Sequence, residues 1–307
     1  MSPLAAIGNT PLIELQGFGP DNGGRNLAKW EGANPTGSMK DRMARAMIEG
    51  ARRDGELREG QRVVEYTGGS TGSSLAFVCA FLQHPLSLIT ADCFAKEKIR
   101  MMQALGAEVD VLKTPEGKVH PGLGDQFEQR LHEVMEATGA YWTRQLSNAR
   151  QLEGYAAMGR EILAACPAIT DFVMSAGTAG CSMGNARAFR ETGADVRVTL
   201  VEPEAAPHLS KGQRGRHGVE GIAVFERDRM PLLDSELYAA VLSVPEQEGR
   251  EMARRLARAA GLLVGTSSGL NLAAAVRVAA ERGPDATVVT VLVDTGLKYL
   301  TGSLYGC

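Results

Sequence analysis

The stretch Asn34-Pro35-Thr36-Gly37-Ser38-Met39-Lys40-Asp41-Arg42 puts one lysine in the first turn of a helical pattern, directly after a Pro/Gly turn. Ser38 and Asp41 have the spacing of an N-cap and its return partner, which predicts a helix starting at residue 38. An ammonium is disfavoured at the positive end of a helix dipole, so Lys40 would lose its proton at lower cost there. A lysine that deprotonates readily can form a Schiff base with a carbonyl compound. On this stretch alone, a solvated surface charge remains the commoner fate of such a lysine.

Three other stretches alter that balance. Thr67-Gly68-Gly69-Ser70-Thr71-Gly72, Gly177-Thr178-Ala179-Gly180 and Gly265-Thr266-Ser267-Ser268-Gly269 each follow a β-rich run and lead into an apolar helical run. In parallel α/β proteins, ligands bind at such strand ends. Free backbone N–H groups and the helix dipole favour an anion there, and glycine lets it approach the main chain. A phosphate-bearing cofactor is implied. The pattern G-x-x-x-x-G-K-[ST] is absent. A dinucleotide site, and with it a nicotinamide-dependent oxidoreductase, is a rival, because Gly177 to Gly180 follow a strand and Glu202 ends the next one. That reading lacks G-x-G-x-x-G and leaves Lys40 and two loops unexplained.

The elements that must position these residues alternate. Strands are expected at 62–66, 86–90, 108–112, 141–143, 171–176, 197–201, 237–244, 262–264 and 287–293. Helices are expected at 38–53, from the glycine loop to about 82, and at 96–105, 124–138, 181–191, 245–260 and after 269, with long loops over 203–235. Met43, Ala46, Met47 and Ala51 would share one face of the first helix. The fold class is therefore α/β: two three-layer domains with mostly parallel sheets and right-handed crossovers. A boundary around 144–149 would separate a smaller domain, 36–145, from a larger one formed by 1–35 and 146–307.

Composition narrows the function. A net charge of -3 gives no reason to expect nucleic acid or an anionic membrane as partner. No apolar run reaches membrane-spanning length, and Met1 is followed by no basic, apolar leader. Cys79, Cys93, Cys166, Cys181 and Cys307 are scattered and form no C-x-x-C pair, which argues for a reducing cytoplasm and against disulfides or zinc. His84, His120, His132, His208 and His217 show no ligand spacing, so no metal is expected.

Asn34 to Arg42 resembles the lysine motif of the fold-type II pyridoxal phosphate enzymes, in the cysteine synthase and cystathionine β-synthase branch. Gly8-Asn9-Thr10-Pro11-Leu12 is similar to that family's start, and Asp294-Thr295-Gly296-Leu297-Lys298-Tyr299-Leu300 to its end. The resemblance spans nearly the whole chain and implies a tryptophan synthase beta-like fold, pyridoxal 5'-phosphate as cofactor and a homodimer. It implies that Lys40 holds the cofactor as a Schiff base and then removes the substrate α-proton. Gly177, Thr178, Ala179, Gly180 and Cys181 would cradle the phosphate, and Ser267, or its neighbour Ser268, would meet the pyridine nitrogen. Thr67, Gly68, Ser70 and Thr71 would grip the substrate α-carboxylate, with Gln145 closing over it and Gly221-Ile222 near the substrate side. Ser70 also stands where an asparagine of the family contacts the cofactor.

The sequence departs from the family pattern in three stretches. The carboxylate loop ordinarily reads Thr-Ser-Gly-Asn-Thr-Gly, so Gly68 loses a hydroxyl and Ser70 replaces an amide. Ala179 and Cys181 stand where glycine and threonine are customary, and Ala223-Val224 replaces a more glycine-rich stretch. A nucleophilic Cys181 lacks a histidine to activate it, so a packing or phosphate-side role is expected. The expected activity is β-replacement on an activated serine: O-acetylserine and sulfide giving L-cysteine and acetate. Alternatives are elimination or replacement with another small nucleophile (cystathionine, cyanoalanine or diaminopropionate type), or a catalytically weak ligand-binding homologue.

Overall fold

The computed structural model describes residues 2–21, 24–120, 122–222 and 230–306. Ala223-Val224 lie outside the described residues. The first elements are β1 (Leu12–Glu14), β2 (Arg25–Trp30), α1 (Lys40–Arg53), β3 (Val63–Tyr66) and α2 (Ser70–Leu82). Then come β4 (Leu86–Ala91), α3 (Lys96–Ala104), β5 (Glu108–Leu112), α4 (Leu123–Thr138) and β6 (Tyr141–Trp142). The chain continues through α5 (Arg150–Ala165), β7 (Asp171–Ser175), α6 (Gly180–Glu191), β8 (Arg197–Pro203) and α7 (His208–Lys211). It closes with β9 (Ala240–Val244), α8 (Glu246–Ala260), α9 (Thr266–Arg282) and β10 (Thr287–Leu292).

Two sheets form among the described residues. One has the order β1-β2-β10-β7-β8-β9 and the other β5-β4-β3-β6. Only the β1–β2 pair is antiparallel. Every residue of β4, β7 and β10 is buried, so these strands read as continuous apolar runs rather than alternating ones. Helices connect the parallel strands of both sheets, which is the mixed α/β arrangement expected from the alternation.

Several expectations need correction. No strand forms over 262–264: Val264 makes a single bridge to Thr295, and α9 begins at Thr266, so Ser267 and Ser268 sit inside its first turn. Residues 237–239 precede β9 rather than belonging to it, and the region expected as loops holds the short helix α7. β1 and β2 were not expected. In β2, Asn26 and Lys29 are buried among apolar residues, which breaks the pattern of an ordinary strand. The helix α5 was also not expected, and it carries Gly154 and Gly159. Both positions are close approaches: a Cβ at Gly154 would lie 2.5 Å from the Arg42 carbonyl oxygen, and one at Gly159 would lie 2.8 Å from Ala188 Cβ. α5 thus packs tightly against both α1 and α6.

Candidate active site

Lys40 is the first residue of α1 and is half-buried. Its N–H donates to Ser38 Oγ at 3.2 Å, a local turn ahead of the helix, but the N-cap position is Met39 rather than the expected Ser38 and has no side-chain cap. The return partner differs from expectation. Asp41 accepts from Thr36 N–H at 2.8 Å and Thr36 Oγ1 at 2.5 Å, and the helix starts two residues later than the spacing indicated. Burial lowers the Lys40 pKa from its ordinary value, and the nearby Cys181 and Asp294 oppose that shift. Desolvation, more than the helix dipole, therefore makes this amine easy to deprotonate.

A buried charge network holds the motif. Arg42 donates to Glu31 at 2.7 and 2.9 Å and to Glu161 at 2.7 and 2.8 Å, while Lys29 donates to Glu161 at 2.7 Å. Glu31 also accepts from Thr10 Oγ1 at 2.6 Å and Asn34 Nδ2 at 2.7 Å. Burial pushes Glu161 up, but the Arg42 and Lys29 donors outweigh it and hold its carboxyl at about 2. A depressed carboxylate stabilises the fold at pH values above its unfolded pKa, and that contribution disappears as pH falls through the folded one. Urea midpoints are therefore expected to fall between pH 4.5 and pH 2, and Glu161→Gln should flatten that part of the profile.

Met39, Lys40, Met174, Ser175, Gly177 to Cys181, Gly221, Ser267 and Val293 line one cleft. The loop 177–180 brings the N-terminus of α6 to it, and Ala179, in the left-handed region at φ 64°, provides no side-chain cap. The N-terminus of α6 thus borders the cleft, and a helix N-terminus favours an anion. Thr178 Oγ1 donates to Gln151 Oε1 at 2.8 Å and accepts from Gly180 N–H at 3.2 Å, which sets the loop. A Cβ at Gly177 would lie 2.6 Å from the Gly221 carbonyl oxygen, so glycine alone keeps these walls together. Burial pushes the Cys181 thiol up to about 12, which makes it a neutral packing group rather than a nucleophile.

Of the two serines, Ser267 lines the cleft, whereas Ser268 Oγ accepts from Val293 N–H at 2.8 Å within the fold. Thr67, Gly68, Ser70, Thr71 and Gln145 do not line this cleft. They form an adjoining cluster at the carboxyl end of β3. Thr67 Oγ1 accepts from Gly69 N–H at 3.0 Å, and Ser70 Oγ donates to Asp294 Oδ2 at 3.2 Å. Gln145 Nε2 donates to the Tyr66 carbonyl at 2.5 Å.

Sequence reasoning missed Glu65 and Gln151. Glu65 is fully buried and accepts from Thr143 Oγ1 at 2.6 Å, Gln145 N–H at 2.8 Å and Trp142 Nε1 at 3.1 Å. Gln151 Nε2 donates to the Gln145 carbonyl at 2.9 Å, so one side chain ties Gln145 to the 177–180 loop. The available signal for Glu65 was a lone carboxylate inside the apolar run of β3.

An amine whose pKa burial lowers, a helix N-terminus for an anion and a hydroxyl at Ser267 fit a phosphorylated aldehyde cofactor. The family described as "Pyridoxal-phosphate dependent enzyme" matches residues 4–294. The chain belongs to that family. It is a pyridoxal phosphate-dependent enzyme. It is 34% identical over 303 residues to a cysteine synthase of Staphylococcus aureus, covering 97% of this chain and 95% of that protein. Its structure is similar to an O-ureido-L-serine synthase, with a TM-score of 0.90, 30% identity and coverage of 99% and 94% of the two chains. It is also similar to a cysteine synthase of Entamoeba histolytica, with a TM-score of 0.91, 26% identity and coverage of 99% and 90%.

Gly177→Ala tests the cradle. The added methyl group would push the Gly221 carbonyl away, an overpacking cost of about 1–3 kcal/mol at the cleft wall. Cofactor affinity is expected to fall about tenfold or more, read by titrating the chain with pyridoxal 5'-phosphate. Unchanged affinity would remove Gly177 from the binding wall. Among the described residues no His, Cys, Asp and Glu group could hold a metal, and no helix is long and apolar enough to cross a membrane.

Proposed function

We propose that the enzyme catalyses β-replacement on an activated serine, with O-acetylserine and sulfide as substrates and L-cysteine and acetate as products. The observation that carries this is the half-buried Lys40, its pKa lowered, in one cleft with the N-terminus of α6 and the Ser267 hydroxyl. Similarity to the cysteine synthases supports the substrate assignment.

When bound, the cofactor supplies the electron sink for chemistry at the substrate α-carbon. Lys40 would hold it through its amine and, when free, would take the proton from the substrate α-carbon and return one to it. The backbone of Gly177 to Cys181 would hold the phosphate. Ser267 would offer a neutral hydroxyl, rather than a carboxylate, to the cofactor ring. A neutral partner there would favour loss of a β-leaving group over transamination. The loop of Thr67, Gly68, Ser70 and Thr71 would take the substrate at its α-carboxylate end, with the loop amides and the threonine hydroxyls donating to the carboxylate and Ser70 meeting the ligand beside it. Gln145 would close over it, and Gly221 would border the substrate side. In this reading, 36–145 is the smaller domain carrying that loop, and 1–35 with 146–307 the larger one carrying the phosphate loop. It also places a homodimer in the cytoplasm, working on small molecules.

The test is to supply O-acetylserine and sulfide to the purified enzyme and measure L-cysteine. Rapid, cofactor-dependent cysteine formation is expected; none with any β-substituted serine would overturn the reading. Similarity to an O-ureido-L-serine synthase favours a second reading, in which another nucleophile replaces sulfide. A panel of amine, cyanide and thiol nucleophiles separates the two.

A further inference from the structure

We propose that Asp294 is a positioning residue that joins the Lys40 side of the cleft to the 67–72 loop, and that it fixes Ser70 as a hydrogen-bond acceptor toward the ligand. Asp294 follows β10, and its segment runs beside the Lys40 motif: Met39 N–H donates to the Val293 carbonyl at 2.9 Å, and Ser38 bridges to Asp294. The side chain is only 2% exposed. Its Oδ2 accepts from both Ser70 Oγ, at 3.2 Å, and Tyr299 Oη, at 2.7 Å. Tyr299 Oη in turn accepts from Lys98 Nζ at 3.2 Å, and Lys98 pairs with Glu220 at 2.5 Å, next to Gly221 of the cleft wall. The donor directions agree along the whole chain of bonds. A carboxylate only accepts, so both hydroxyl protons are committed to Asp294.

The consequence for Ser70 is specific. With its proton engaged, its oxygen presents lone pairs and cannot also donate to a carboxylate. Holding the substrate α-carboxylate then falls to the loop amides, Thr67 and Thr71, while Ser70 accepts from a ligand N–H or O–H. The serine that replaces an amide is thus buttressed rather than loose. The same carboxylate, like Cys181, favours the charged form of Lys40 and so opposes the lowering of its pKa by burial.

This inference rests on the proposed function for its ligand, so the experiment has two readouts. In the holoenzyme, the affinity for L-serine, read by cofactor absorbance, is measured for Ser70→Ala, Asp294→Asn and the double variant. Each single change is expected to weaken binding about tenfold, with the double no weaker than the poorer single. Multiplicative losses of about a hundredfold would overturn the proposal. The second readout is the rate at which the full chain takes up pyridoxal 5'-phosphate as a function of pH, which follows the unprotonated fraction of Lys40. Removing the Asp294 charge should move that profile to lower pH, and Tyr299→Phe should leave it in place. An unmoved profile in Asp294→Asn overturns the link to Lys40. If the wild-type enzyme binds no amino acid, the proposed function fails and the uptake profile still decides the role of Asp294. Should Asp294→Asn not fold, Tyr299→Phe crossed with Ser70→Ala carries the same non-additivity test, with about threefold coupling expected and none overturning it.

Discussion

Lys40→Ala is expected to lower turnover by about a thousandfold or more, because one side chain both holds the cofactor and moves the α-proton. No other amine lines the cleft among the described residues. Lys298 is the competitor to consider, since burial lowers its pKa too and its Nζ has no hydrogen-bond partner. It lies outside the cleft lining, so it cannot stand in for Lys40. Non-covalent cofactor binding should survive in the variant, because the 177–181 backbone and Ser267 are untouched. The measurement is steady-state turnover beside a cofactor titration. Retained cofactor with lost turnover supports the assignment, whereas normal turnover contradicts it.

Arg42→Ala is expected to cost about 3–5 kcal/mol of stability. Removing the guanidinium leaves Glu31, which is 0% exposed, as a buried carboxylate facing Thr10 and Asn34 alone. Glu161 keeps Lys29, so the damage concentrates on Glu31. The cofactor-free chain should unfold on the order of 10 °C earlier, measured without ligand so that binding does not mask the loss. Arg42→Lys should recover only part of this, since an ammonium cannot bond both carboxylates in the bidentate manner seen here. A shift below about 2 °C would mean that the network contributes little.

The legible parts of this chain were those whose pattern is local. The buried runs of β4 and β10 show no polar interruption of consequence, and the glycine loops mark the ends of β3 and β7. What stayed hidden depends on contacts between distant residues. β2 buries a lysine that only Glu161, far along the chain, can neutralise. α5 carries glycines that make sense only once α1 and α6 press against it. The capping pair at Ser38 and Asp41 has the right spacing, yet Thr36 captures the carboxylate because it supplies two donors. Ser267 and Ser268 are neighbours of one type, and the cleft lining and the bond from Val293 tell them apart. Ser70 looked like a loss until Asp294, 224 residues away, appeared behind it.

The central claim is that Lys40 is the amine that holds the cofactor. The direct measurement is borohydride reduction of the cofactor-loaded enzyme, digestion and mass mapping of the pyridoxyl group. The account predicts the label on the peptide containing Lys40, with the visible chromophore lost on reduction. A label on Lys98 or Lys298, or cofactor released unreduced from a colourless chain, would contradict it.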